Sequence, residues 1–143
     1  MKKSLVLALA IICFTVTQAQ KLIPAKVPTA AKDAFAKAHA STTAQWEKEG
    51  SNYEVNFKEG NKSMSCVITA TGEIVETETG MKLSELPTDA KKYIAQHYKG
   101  VKVTEAASIT KNDGTVVYEA EIKGKDVLFD ANGKMLPAKK GND

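Results

Sequence analysis

The sequence predicts an α+β protein: two tandem α-β-β-β-β repeats forming an antiparallel sheet, with helices packed on one face and the other face open to water. Three observations carry this reading. The chain repeats itself, each repeat opens with a short amphipathic helix, and the remainder alternates apolar and polar residues between hairpin-turn dipeptides.

The repetition is visible in three segments. Val27-Pro28-Thr29-Ala30-Ala31-Lys32 returns as Leu86-Pro87-Thr88-Asp89-Ala90-Lys91. Tyr53-Glu54-Val55-Asn56-Phe57-Lys58 returns as Tyr118-Glu119-Ala120-Glu121-Ile122-Lys123. Cys66-Val67-Ile68-Thr69-Ala70-Thr71-Gly72 returns as Val127-Leu128-Phe129-Asp130-Ala131-Asn132-Gly133. The spacing between equivalents varies only in the connections, where loops tolerate length changes. The repeats are therefore expected at about 27–79 and 86–137.

Proline in the first turn starts each helix, because its missing N–H has no partner there in any case. Ala31, Ala34, Phe35 and Ala38 then share one face, as do Ala90, Tyr93, Ile94 and His97. Helices this short are marginal alone and need a sheet to pack on. Tyr53, Val55 and Phe57 alternate with Glu54, Asn56 and Lys58, and Tyr118, Ala120 and Ile122 with Glu119, Glu121 and Lys123. Further strands are expected at 44–49, 63–69 and 73–78, and in the second repeat at 101–110, 125–130 and 134–136. Thr71-Gly72, Asp113-Gly114, Asn132-Gly133 and Glu59-Gly60-Asn61 supply the tight turns that antiparallel neighbours require. The short link between residues 78 and 85 favours one compact unit.

The N-terminus has the layout of a secretion signal. Lys2 and Lys3 precede an apolar stretch at 5–16, and Thr17-Gln18-Ala19 places small residues three and one positions before a cut. Residues 1–19 are expected to be the signal peptide and 20–143 the mature domain. The apolar stretch is short for a membrane anchor, which needs roughly 20 residues. Lipidation at Cys13 is disfavoured because Ile12 stands where a small residue is needed. No second apolar run reaches spanning length, so a periplasmic or secreted protein without a membrane span is expected.

Composition excludes several functions. Twenty basic residues face 17 acidic ones, and removing Lys2 and Lys3 leaves the two signs almost balanced. Every basic residue is lysine. Without arginine there is no bidentate fork for phosphates or base edges, which argues against nucleic-acid binding. The interspersed charges read as a mixed, solvated surface. Once Cys13 leaves with the signal, Cys66 is alone and forms no intramolecular disulfide. Met64, Cys66 and Ile68 alternate onto one face, and Cys66 aligns with Val127, so the thiol is expected in the core.

The Val/Leu-Pro-Thr helix starts, Trp46-Glu47-Lys48-Glu49-Gly50, Tyr53-Glu54-Val55-Asn56-Phe57 and Thr71-Gly72-Glu73-Ile74 resemble the PepSY-like family of exported bacterial proteins, likened to the β-lactamase inhibitory protein. The resemblance runs from Val27 to about Leu136. It implies paired helix-on-sheet units and a role in protein binding or inhibition in the cell envelope, with no catalytic residues to carry over. The second repeat lacks a tryptophan equivalent to Trp46; Ala107 and Ile109 are expected to fill that strand.

No catalytic or metal constellation is legible. His39 and His97 fall at non-equivalent helix ends with no carboxylate at ligand spacing, and no Gly-x-Ser-x-Gly elbow or phosphate loop occurs. His97 is expected to pack on its helix's apolar face, and Trp46 beneath helix one. The chain is therefore expected to be no enzyme and to take no cofactor and no metal. The surviving candidate site is the open sheet face. It should present Glu54, Asn56, Lys58 and Ser65 from the first repeat and Glu119, Glu121 and Lys123 from the second. Val67 and Leu128 would stand as apolar spots among them. Such a face suits a protein partner in the envelope or outside the cell. An exposed edge strand would permit an edge-paired dimer instead of a monomer. The alternative is a small-molecule or peptide carrier, which requires a pocket of several hundred cubic ångströms between helix and sheet.

Overall fold

Pro28 and Pro87 hold φ at −54° and −51° with extended ψ, and a helix begins at the residue after each. The computed structural model describes residues 20–39 and 43–137. Helix α1 spans Thr29–Ala38 and α2 spans Thr88–His97. Each is preceded by a single 3-10 turn, Pro24–Lys26 or Leu83–Glu85. The expected signal segment and its cleavage point lie outside the described residues.

Among the described residues, eight strands form one sheet in chain order, every neighbouring pair antiparallel. They are β1 Gln20–Leu22, β2 Gln45–Glu49, β3 Asn52–Glu59, β4 Lys62–Ile68, β5 Ile74–Gly80, β6 Val103–Lys111, β7 Val116–Ile122 and β8 Lys125–Phe129. The pairing of β5 with β6, for example Thr77 with Thr110, joins the two halves into a continuous sheet.

The helices cover one face. On it, α1 lays Ala31 and Phe35 against Trp46, Val55, Phe57, Cys66 and Ile68. Further along the same face, Leu86 and Ala90 pack with Ala106, Ala120, Ile122 and Phe129. Phe35 meets Trp46 edge-on at 5.7 Å and Phe57 at 5.1 Å; Tyr93 meets Phe129 edge-on at 5.8 Å. Such pairs add about 0.5–1.5 kcal/mol each to the burial itself. The expected places of Trp46 and Cys66, beneath helix one and in the core, agree with this.

Three expectations need correction, and one strand was not foreseen. The strand expected at 134–136 is only a single bridge between Phe129 and Met135, so α1 is followed by four strands and α2 by three. Conversely, β1 precedes α1 and pairs with β2, although three residues carry too little periodicity to announce a strand. Ala107 and Ile109 do not fill the place of Trp46. Register pairs Trp46 with Val55 and Ala106 with Ala120, so Ala106 is the helix-facing counterpart. A bulge between Val103 and Glu105 shifts the alternation by one residue, and no spacing rule foresees it. Lastly, His97 is exposed at the end of α2, stacked on Tyr93 at 4.2 Å, because the helix stops before its side chain reaches the sheet.

Candidate functional site: the open sheet face

Period-two alternation sends every second side chain away from the helices. Register then assembles three rows across the open face. Glu54, Val67, Glu76 and Lys111 form one; Asn56, Ser65, Glu78, Ile109 and Val117 form the next. Gly80, Ala107, Glu119 and Leu128 form the third, with Lys58 and Ser63 at its start. Glu54, Asn56, Lys58, Ser65, Val67, Glu119, Glu121 and Leu128 thus share the face by register. Lys123 does not. It sits in the turn between β7 and β8 with φ +55°, the only non-glycine at positive φ among the described residues. A two-residue hairpin with Gly124 at φ +68° demands that conformation, and it takes Lys123 off the face.

The centre of the face excludes water more than alternation alone predicts. Val67 is 8% exposed, Ile109 4% and Val117 6%, although both helices lie on the opposite side. Ile109 and Val117 are the residues sequence reasoning missed. The bulge hid their phase, and Val117 follows the Asp113-Gly114 turn too closely to declare its face. Beside them Ile109, Val117, Leu128, Leu136 and Pro137 line a hollow of about 230 Å³, with Glu76 and Lys111 at its rim. The backbone N–H of Leu136 donates to the carbonyl of Leu128, and this places the apolar tail segment there. An adjoining hollow of about 180 Å³ is lined by Glu54, Glu78, Glu105 and Glu119 around Ser65 and Ala107.

The charges are segregated rather than mixed. Glu47 lies directly opposite Glu54, Glu105 opposite Glu121, and Glu121 opposite Asp126. Like charges in directly opposed positions destabilise a sheet. Burial pushes the Glu54 carboxyl above its ordinary value, and Glu49, Glu47 and Glu78 push it further; a hydrogen bond from Ser65 offsets part of this. Glu121 accepts a hydrogen bond from the Thr104 hydroxyl. The face can therefore accept cations and N–H donors.

A second constellation lies on the helix side. The Cys66 thiol is 3.8 Å from Nε2 of His39 and 3.4 Å from Oγ1 of Thr77, while Nδ1 of His39 is 3.3 Å from Oε1 of Glu59. No carboxylate stands at ligand spacing from His39 in the sequence; the fold brings Glu59 to it from 20 residues away. The end of α1, the end of β3 and the middle of β4 converge, a meeting that sequence spacing cannot show. The order thiol, imidazole, carboxylate is that of a nucleophilic relay. Its environment is the reverse of one. Cys66 is fully buried, and burial pushes its thiol above the ordinary range. His39 is wedged against the rings of Phe35 and Phe57. A reactive cysteine needs a lowered pKa and access. No group of three potential metal ligands occurs among the described residues.

No family model and no curated protein matches the sequence. Solved structures do. A protein of Bacteroides eggerthii, named provisionally as periplasmic, superposes with a TM-score of 0.69 at 17% identity, covering 78% of this chain and 86% of its own. A DUF2874 family protein from Bacteroides uniformis gives 0.68 at 16% identity, with coverages of 77% and 86%. A BLIP-like protein from Bacteroides fragilis gives 0.62 at 19%, with coverages of 81% and 86%. The chain therefore has a BLIP-like α+β fold. Among the described residues no helix is long and apolar enough to cross a membrane.

Proposed function

We propose that this chain is an exported, non-enzymatic binding module of the periplasm, PepSY-like, built from two helix-on-sheet repeats and engaging a protein partner through its open sheet face. The observation that carries the reading is an apolar hollow of about 230 Å³ lined by Ile109, Val117, Leu128, Leu136 and Pro137, beside a cluster of carboxylates, on the side the helices leave free. Apolar centres within polar rims are how protein interfaces are organised. The likeness to a BLIP-like protein is in keeping with this role. The buried, raised thiol of Cys66 argues against a nucleophilic role for the Cys66–His39–Glu59 constellation.

Affinity capture from an envelope extract tests the proposal, with the mature chain and its Leu128→Lys variant as baits and circular dichroism as the folding control. Leu128 is half-buried, so lysine there can reach solvent without opening the core. One protein retained by the wild type and lost with the folded variant supports the open face. Retention by both baits places binding elsewhere, and retention by neither removes the partner-protein reading.

A second reading is favoured by one observation. An open apolar groove of about 560 Å³ runs beside α2, lined by Leu83, Leu86, Ile94, Tyr98, Val101 and Val103. Its size meets the requirement for a small-molecule or peptide carrier. In the segment alignment Ile94 stands where Phe35 fills the first half, so this half has less bulk between helix and sheet. Nile red fluorescence that rises on binding and is lost in Ile94→Glu would support the carrier.

A further inference from the structure

The chain as a whole is slightly basic, yet its open face is acidic. Glu47, Glu54, Glu76, Glu78, Glu105, Glu119, Glu121 and Asp126 all fall there by register, against Lys21, Lys58 and Lys111. Three directly opposed acid pairs work against the sheet, and burial beside other carboxylates raises Glu54. Where local rules are broken together on one surface, a functional demand on that surface is the expected reason.

Geometry narrows what would meet it. Strand β6 contributes Ile109 to the apolar hollow and Ala107 to the acidic one. These are alternate residues on one face of one strand, roughly 7 Å apart. An extended peptide presents its own alternate side chains at the same interval. Lys111, two residues further on, lies directly across from Glu76 at the opposite end of the apolar hollow, so acidic and basic charge meet there. The net acidic end of the row along β6 is therefore the one beyond Ala107.

Resting on the open-face reading, we propose that the partner docks there an extended basic segment, in which an apolar side chain enters the Ile109–Val117–Leu128 hollow and a Lys or Arg two positions away enters the hollow framed by Glu54, Glu78, Glu105 and Glu119. Charge complementarity sets which partners are accepted and how fast they associate, and the apolar contact holds them.

The test is selection of phage-displayed random dodecapeptides on the folded mature chain, followed by fluorescence-anisotropy titration of the enriched peptides. Glu78→Gln/Glu119→Gln removes charge at nearly constant shape, and Leu128→Lys blocks the apolar hollow; thermal melts confirm that both fold. The expected result is enrichment of an apolar residue with Lys or Arg two positions away. Affinity for the glutamine variant should be roughly tenfold weaker, and added salt should weaken binding to the wild type more than to that variant. Enriched peptides that lack basic residues but are lost with Leu128→Lys would overturn the basic segment while leaving the open face standing. Peptides indifferent to both variants, or no enrichment at all, would overturn both. Spermine competing as well as an enriched peptide of equal charge would reduce the site to diffuse attraction and overturn the paired hollows.

Discussion

A β carbon on Gly133 would lie 2.6 Å from the backbone nitrogen of Ala90, so the hairpin after β8 closes directly onto the first turn of α2. Gly72 stands in the same relation to α1, where a β carbon would meet the Ala30 carbonyl oxygen at 2.6 Å. Both glycines hold positive φ, +84° at Gly133 and +89° at Gly72. The hairpin glycines thus fix how closely each helix start approaches the sheet, independently of the apolar contacts beneath.

Gly133→Ala should destabilise the chain by more than about 2 kcal/mol, since left-handed backbone costs an L-residue roughly 1–2 kcal/mol and the clash with backbone adds to it. Gly114→Ala is the control. Its φ is +83°, but nothing lies within 4 Å of the added carbon, so about 1 kcal/mol is expected. Urea denaturation of the two variants separates conformational strain from helix docking; equal losses would remove the docking role.

Glu54→Gln should stabilise the chain at neutral pH by a few tenths of a kcal/mol to about 1 kcal/mol. The folded-state pKa of Glu54 is raised, so folding favours the protonated acid. That contribution is fully present below the unfolded pKa and is lost as pH rises through the folded value. The variant's advantage should accordingly appear at pH 7 and vanish below about pH 4. A destabilised variant at pH 7 would show that the carboxylate has a compensating partner.

Cys66 should be slow to alkylate in the folded chain and fast in urea, with its native pH profile shifted upward. Cys66→Val, which copies Val127, should cost less than about 1.5 kcal/mol, whereas Cys66→Ser leaves a hydroxyl in the core at about 1–3 kcal/mol unless Thr77 or His39 satisfies it. Rapid alkylation of the native thiol near pH 7, abolished by His39→Ala, would restore the nucleophilic relay.

Lys123→Gly should raise stability by roughly 0.5–1 kcal/mol, because glycine accepts φ +55° freely. It should leave peptide affinity unchanged, since the turn removes this lysine from the open face. Thermal melts and anisotropy titrations check the two halves of that statement.

Much of the architecture follows from patterns local in the chain. Proline before Thr29 and Thr88 starts the helices, alternation at Tyr53–Lys58 and Tyr118–Ile122 sets the strand faces, and the glycine dipeptides turn the hairpins. Strand period alone accounts for eight of the nine residues expected on the face, Lys123 being the exception, because alternate Cβ atoms point to opposite sides whatever they touch. That is also why Cys66 and Trp46 were legible as core.

What the sequence determined by itself is therefore the helix starts, the strand phases and the apolar layer beneath the helices, all consequences of backbone geometry within a few residues. The tertiary structure alone decided the rest. The bulge before Glu105 reversed the phase of Ala107 and Ile109, and β5 met β6 to make one sheet. Folding also set Glu47 against Glu54, and carried Glu59 and Cys66 to His39. These are pairings between segments far apart in the chain, fixed by register and by how strands lie side by side, and register is a property no single segment possesses.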